Sequence, residues 1–267
     1  MPAPMTRFEA LRHRTVELAG MAALGVAITT CPAQAQNSMK EKAQPAAHDT
    51  EKGPLAKKLA QRSADFAEKA DPGTLESFLG AIDRLAESGV LEGVKTKGDK
   101  APDFELSDAT GNTVNFKDLL AEGPVVLTFY RGGWCPYCNI QLRAYQENLD
   151  QFQALGANLV AISPEKPDNS LETAEKNELE FTVLSDIGNE VADKFGLRYE
   201  IDPVLVERFA PILEEYNGEE SHTLPLTATY VVDTDGTIKF SYVTADYKLR
   251  AEPSDIVSAL KHIKMGH

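Results

Sequence analysis

Short apolar runs alternating with helical stretches constrain this chain more than any other feature. Val125 to Tyr130 (VVLTFY), Leu159 to Ile162 (LVAI) and Phe181 to Leu184 (FTVL) read as buried strands. Between them lie the helical stretches Asn139 to Leu155 and Asn169 to Asn177, each long enough for a right-handed crossover, so the strands are expected to be parallel. The C-terminal part departs from that rhythm. Thr229 to Val232, the turn Thr234-Asp235-Gly236 and Ile238 to Val243 read as an antiparallel hairpin, followed by a helix opened by Pro253. The expected class is therefore α/β: a mixed sheet with a terminal antiparallel hairpin, flanked by helices.

Two amphipathic helices precede this core. Leu55, Leu59, Phe66 and Ala70 recur at helical spacing, and Asp71-Pro72 opens a second helix with Leu75, Phe78, Leu79, Ile82 and Leu85 on one face, ended at Gly89. They are expected to pack on the following domain, with partner binding as the alternative. Ile201, Leu205, Phe209, Ile212, Leu213 and Tyr216 also share a helical face, although Pro203 and Pro211 should interrupt a continuous helix. That segment reads as an insertion that joins the core, covers a site or makes a homodimer contact.

Farther upstream, Arg7, Arg12 and Arg14 precede the apolar stretch Leu18 to Thr30, and Ala33-Gln34-Ala35 follows it, the layout of a secretory signal. The apolar run is about 13 residues, short of the roughly 20 that span a bilayer, so no stable membrane insertion is expected. The organisation is then a signal peptide over 1–35, a polar disordered spacer over 36–52, a helical extension over 53–97 and the main domain over 98–267. Cleavage would give a periplasmic or secreted protein, whereas a start at Met39 would leave a cytoplasmic one.

With 27 Lys plus Arg against 41 Asp plus Glu, the net charge of −14 repels nucleic-acid phosphates and anionic headgroups, which argues against a nucleic-acid partner. Three cysteines among 267 residues do not make a disulfide scaffold. The chemistry rests on few residues, and the most informative follow the strongest strand: Arg131-Gly132-Gly133-Trp134-Cys135-Pro136-Tyr137-Cys138. Leu142, Tyr145 and Leu149 continue this segment at helical spacing, so Cys-x-x-Cys lies at a strand-to-helix junction. There the free N–H groups and the positive helix end favour thiolate over thiol. A thiol with a pKa of about 8.5 is only roughly 3% ionised at pH 7, and lowering that pKa to about 7 makes about half of it reactive. The shift is worth roughly 2 kcal/mol, near the upper end of what a helix terminus supplies, so a further cation such as Arg131 or Arg143 is expected. Sulfurs at i and i+3 are close enough to form a disulfide, and Pro136 suits the first helical turn. A zinc site would need two more ligands, with only His222 or His262 at hand and no paired-ligand spacing. Gly132-Gly133 reads as a turn, Asp186 as a helix N-cap, and His222 as an ordinary loop residue.

The segments FYRGGWCPYCNIQLRAYQ, LVAISPEKPDNS, FTVLSDIGNEVADKFGL and LPLTATYVVDTDG, in that order, resemble the peroxiredoxin-like branch of the AhpC/TSA family, within the thioredoxin-like fold. The resemblance implies a peroxidase acting on hydrogen peroxide or organic hydroperoxides, with no metal or organic cofactor. One cysteine is oxidised to sulfenic acid, the other condenses with it to a disulfide, and thioredoxin or another dithiol reduces the disulfide. In the family's Pro-x-x-x-Thr/Ser-x-x-Cys register, Cys138 takes the peroxidatic place, Cys135 the hydroxyl-bearing place and Arg131 the proline place. In the thioredoxin register, Cys135 attacks and Cys138 resolves. We favour Cys135, as the first position at a helix start is usually the more accessible. Thioredoxin-like proteins also place a proline, generally cis, opposite the cysteines just before the hairpin; here the slot falls on Thr227, with Pro225 two residues upstream. Cys135 and Cys138 are thus the candidate catalytic residues, and Arg131, Trp134 and Thr227 the candidate substrate-binding ones. The alternative functions are a thiol–disulfide oxidoreductase acting on protein disulfides and a non-enzymatic binding module.

Overall fold

The computed structural model describes residues 53–218 and 221–266; the leader and the spacer expected before Gly53 lie outside them. Strands β3 (Val125–Phe129), β4 (Asn158–Ser163) and β5 (Thr182–Ser185) are parallel neighbours, as their buried apolar runs require. The hairpin of β8 (Thr227–Val232) and β9 (Ile238–Thr244) adds antiparallel to β3, and β1 (Glu105–Asp108) with β2 (Thr113–Asn115) closes the other edge. The sheet order is β2-β1-β5-β4-β3-β8-β9. The β1–β2 pair had no clear signal in the sequence. Its strands are short and nowhere fully buried, and the turn between them is shaped by Asp108, whose carboxylate accepts from the N–H groups of Thr110 and Asn112.

Strand alternation sorts the core into two layers. Val125, Leu127 and Phe129 face a layer with Phe116 of α3 (Phe116–Glu122), Val191 and Ala192 of α7 (Glu190–Lys194) and Phe195. Val126 and Tyr130 face the opposite layer, which holds α1 (Pro54–Lys69), α4 (Pro136–Gln146), α5 (Leu149–Ala154), α6 (Pro167–Lys176) and α9 (Pro253–Gly266). Both cysteines lie in this second layer. The expected single helix over 139–155 is two, α4 and α5, because Asn148 folds its side-chain amide back onto the Ala144 carbonyl and ends the first helix. Asp186 caps as expected: its carboxylate accepts from the N–H groups of Val191 and Ala192 at the start of α7.

The insertion is one helix, α8 (Pro203–Asn217), not an interrupted one. Pro203 occupies its first turn, where no N–H is needed, and the Asp202 side chain accepts from the Val204 N–H. Pro211 sits inside the helix; burial of Leu205, Phe209 and Leu213 along one face offsets the lost backbone bond. This face meets Phe78 and Ala81 of α2 (Pro72–Glu87), and an Arg84–Asp202 ion pair of 2.7 Å joins the two helices. A ribbon of β6 (Arg198–Glu200) and β7 (Thr223–Pro225) brackets α8. No helix among the described residues is long and apolar enough to cross a membrane.

α1 packs on α4 through Leu55 and Leu59, and its N-terminus is capped from a distance. The buried Glu252 carboxylate, just before α9, accepts from the N–H groups of Leu55 (3.3 Å) and Ala56 (2.7 Å). Gly53 allows that approach, since a Cβ there would fall 2.1 Å from the Glu252 carboxyl carbon. Glu252→Ala is predicted to cost about 1–2 kcal/mol in denaturant unfolding, with hydrogen-exchange protection lost first in α1; unchanged stability and α1 protection would show that this cap does not hold the helix.

Candidate functional site

The site begins where β3 ends. Tyr130 N–H still donates to the Ile162 carbonyl, and the chain then turns through Gly132 at φ 145°, where a Cβ would meet the Trp134 ring at 2.3 Å. A Cβ on Gly133 would lie 1.9 Å from Thr173 Oγ1, so Gly133 permits close packing of the loop on α6, and Gly132 leaves room for the Trp134 ring within the loop. Cys135 is the N-cap residue of α4, Pro136 opens the helix, and Cys138 lies in its first turn. Asn139 locks the loop: its side-chain amide donates to the Gly133 carbonyl (2.7 Å), and its own oxygen accepts from Asn177, the C-cap residue of α6 (2.9 Å).

Both cysteines are reduced and buried, Cys135 at 1% and Cys138 at 0% exposure. The expectation that Cys135 would be the more accessible is therefore corrected: the loop turns inward, and exposure does not distinguish the sulfurs. Electrostatics does. Cys135 is held well below the usual thiol range, first by the neighbouring Cys138 thiol and then by the Arg131 and Arg250 charges, which outweigh its burial. Cys138 is pushed up by burial and by the negative charge on Cys135. The two titrate as a pair, with thiolate favoured on the first and thiol on the second.

Arg131 is 5% exposed, with its guanidinium carbon 4.4 Å from the Tyr247 ring centroid, 5.0 Å from Trp134 and 5.3 Å from Phe209. Three aromatic faces thus hold a cation beside the thiols. Phe209 comes from α8, so the insertion both packs and covers the site, and its ring lies 5.5 Å from that of Trp134. Trp134 is partly buried and packs against the cluster that holds both cysteines. Thr227 is buried at the start of β8; Ala228 pairs with Phe129, which sets Thr227 level with Tyr130 on the face that carries α4. Arg131 Nε, Trp134 Nε1 and Thr227 Oγ1 are buried without a protein hydrogen-bond partner. No cis peptide occurs among the described residues, and Pro225 instead lies in β7 opposite Arg198.

The other cation expected from the sequence, Arg143, is not at the sulfurs; it donates to Asn177 across α4 and α6 (2.9 Å). Arg250 takes that place. Its Nη2 donates to Cys138 Sγ at 3.2 Å, its Nε to Gln141, and its Nη1 to the carbonyls of Tyr247 and Leu249. Gln141 is fixed in turn by Thr128 Oγ1 at 3.0 Å. Sequence reasoning missed Arg250 because it lies 112 residues from Cys138 in a connecting loop. It also missed Glu165, fully buried beneath the loop. The Glu165 carboxylate accepts from Gly133 N–H (2.8 Å), Tyr130 OH (3.1 Å) and the hydroxyls of Ser163 and Thr173 (3.3 Å each). A glutamate between two prolines, in Ser163-Pro164-Glu165-Lys166-Pro167, was the available signal.

Comparison with known proteins gives this geometry a context. A model of the AhpC/TSA family matches residues 97–241, more than half of the chain. Peroxiredoxin Q of wheat chloroplasts is 30% identical over 159 residues, which cover 60% of this chain and 64% of that protein. Peroxiredoxin Bcp of Escherichia coli is 30% identical over 164 residues, 61% of this chain and 94% of that protein. Among solved structures, Peroxidoxin BcpB from Mycobacterium tuberculosis superposes with a TM-score of 0.50 at 26% identity, covering 63% of this chain and 97% of that one. Peroxiredoxin 6 of Arenicola marina shares the fold at a TM-score of 0.53 and 19% identity, covering 64% of this chain and 74% of that one. The expected thioredoxin-like architecture is borne out.

Trp134 is predicted to govern access to the sulfurs. Trp134→Ala should speed alkylation of Cys135 by a small neutral thiol reagent by about tenfold, because reactivity follows exposure as well as thiolate fraction. An unchanged rate would show that the route to the pair lies elsewhere.

Proposed function

The chain belongs to the AhpC/TSA family, and from that premise we propose that it is a thiol-dependent peroxidase that reduces hydrogen peroxide or organic hydroperoxides through Cys135 and Cys138. The observation that carries this reading is the setting of the pair: two free sulfurs at one helix start, buried with two guanidiniums, Arg250 donating to Cys138 Sγ at 3.2 Å and Arg131 caged in the same site.

The Cys135 thiolate attacks one oxygen of the peroxide. An S–O bond forms as the O–O bond breaks, and the departing hydroxide or alkoxide takes a proton to leave as water or alcohol. Arg131 and Arg250 stabilise the charge that moves from sulfur to the leaving oxygen. Cys138 then attacks the sulfenic sulfur, the S–S bond replaces the S–O bond, and water leaves. Thioredoxin or another dithiol returns both thiols. The unpartnered polar atoms of Arg131, Trp134 and Thr227 suit a small, doubly hydrogen-bonding substrate such as a peroxide.

Burial of both sulfurs favours this reading over a general thiol–disulfide oxidoreductase, because a small oxidant needs less opening than a polypeptide. The reductant must still reach the bridge, so the cover of Trp134 and Phe209 has to open once per cycle. On this reading residues 98–267 form the redox domain and 53–97 brace it. A cleaved leader over 1–35 would place the enzyme in the periplasm or outside the cell, where its dithiol partner must also reside.

Peroxide added to the reduced chain is predicted to remove the Cys135 and Cys138 thiols within seconds to minutes, and a dithiol should restore them. Thiols that persist for hours in excess peroxide would contradict the proposal, and exchange with protein disulfides without peroxide turnover would transfer the weight to the oxidoreductase.

A further inference from the structure

Both cations beside the cysteines meet at Tyr247, a half-buried residue of the loop between β9 and α9. Its ring carries Arg131, whose guanidinium carbon lies 4.4 Å from the Tyr247 centroid, nearer than to Trp134 or Phe209. Its carbonyl accepts from Arg250 Nη1. One residue thus holds Arg131 through its side chain and Arg250 through its backbone, and Arg250 Nη2 in turn donates to Cys138 Sγ at 3.2 Å.

Tyr247 is itself held on two sides. Asp246 shapes its turn: the Asp246 side chain accepts from Lys248 N–H (3.0 Å), its carbonyl accepts from Leu249 N–H (3.0 Å), and its N–H donates to Thr244 Oγ1 (3.1 Å). On the ring side stands Tyr137, which lies between the two cysteines in sequence and meets Tyr247 edge-on, with centroids 5.6 Å apart and planes at 76°. Arg62 of α1 follows, 5.8 Å from the Tyr137 centroid. The seat therefore runs from the N-terminal helix, past the cysteine pair, to the loop after β9. Arg62, Tyr247 and Arg250 all lie outside residues 97–241, the stretch that the family's model matches, so that match assigns them no role.

A guanidinium on a long, flexible side chain must be held if it is to act at one place, and displacement by about 1 Å is enough to weaken its support of a reacting group. Resting on the peroxidase reading, we propose that Tyr247 is the positioning residue of this site: its ring seats Arg131 and its carbonyl orients Arg250, so that both guanidiniums attend the cysteine pair as charge moves from sulfur to the departing oxygen. Tyr247 acts through the two arginines. Neither contact uses its hydroxyl, so an aromatic face and a fixed carbonyl are what the position requires.

The charged and titratable groups that face the pair are Tyr130 at the end of β3, Arg131 in the redox loop, Tyr137 on α4, Tyr199 on β6, and Tyr247 with Arg250 in the loop after β9. All four tyrosines titrate above their ordinary range, so an inflection at neutral or acid pH belongs to the sulfurs.

The test uses the full reduced chain carrying Cys31→Ser and reads two quantities. One is the pH dependence of alkylation of the pair by iodoacetamide, with labelled sites assigned by mass spectrometry; the other is the rate of hydrogen peroxide loss. Tyr247→Leu should move the alkylation inflection up by about one pH unit and slow peroxide loss about tenfold, because the face that seats Arg131 is gone. Tyr247→Phe, which keeps that face, should restore both. Tyr247→Met, which fills the space without an aromatic face, serves if the leucine variant does not fold. Added to Arg131→Met, Tyr247→Leu should slow peroxide loss by less than about threefold more, since the two residues act as a unit. An unmoved inflection in the folded leucine or methionine variant, a phenylalanine variant that behaves like leucine, or a full tenfold further loss on top of Arg131→Met would overturn the role of Tyr247. A shifted inflection in Tyr247→Leu together with a wild-type chain that consumes no peroxide would uphold the seating of the cations and overturn the peroxidase reading beneath it.

Discussion

Two buried guanidinium groups without carboxylate partners govern the rest of this structure. Among the described residues, neither Arg131 nor Arg250 joins an ion pair with Asp or Glu. A buried cation needs compensation, and here it comes from aromatic faces around Arg131, from carbonyl and amide oxygens around Arg250, and from the sulfurs between them. The negative charge that best completes the arrangement is a thiolate. The helix N-terminus at Cys135 adds to this field, by up to about 2 kcal/mol where the site is shielded from water.

Elements remote in sequence are recruited to sustain that burial. α8 contributes Phe209 to the cage around Arg131 and is tied back to α2 by Arg84 and Asp202. α1 backs the helix that carries both cysteines, and its own N-terminus is held by Glu252, two residues after Arg250. The same short connection therefore places the cation on Cys138 and anchors the N-terminal helix. Beneath the loop, Glu165 holds the Gly133 N–H and Asn139 the Gly133 carbonyl, so the approach to Cys135 is fixed at both backbone groups of that residue.

The sequence disclosed those parts whose signal is local. Buried parallel strands announce themselves as apolar runs, and the proline after Cys135 marks a helix start, so the junction and both candidate sulfurs were legible. Helix breaks were not: Asn148 ends α4 by a side-chain turn that apolar periodicity overlooks, whereas Pro211 leaves α8 intact because its apolar face is buried. The cation was half legible. Arg131 adjoins the motif, but the choice of Arg143 followed sequence proximity, and the fold spends that residue on Asn177. Arg250 and Glu165 acquire their roles only when the sheet brings the ends of β3, β4 and the post-hairpin loop together, a long-range outcome that spacing does not encode. The inward turn of the cysteine loop was hidden for the same reason, since the aromatic cover comes from α8 and the post-hairpin loop.

The account stands most directly on the protonation of the reduced pair. Ultraviolet absorbance of thiolate, followed through an acid titration of the reduced Cys31→Ser chain, should show one thiolate per molecule at neutral pH that persists well below the usual thiol range, and a second that appears only in strong alkali. Loss of all thiolate absorbance near the ordinary thiol pKa of about 8.5 would contradict it.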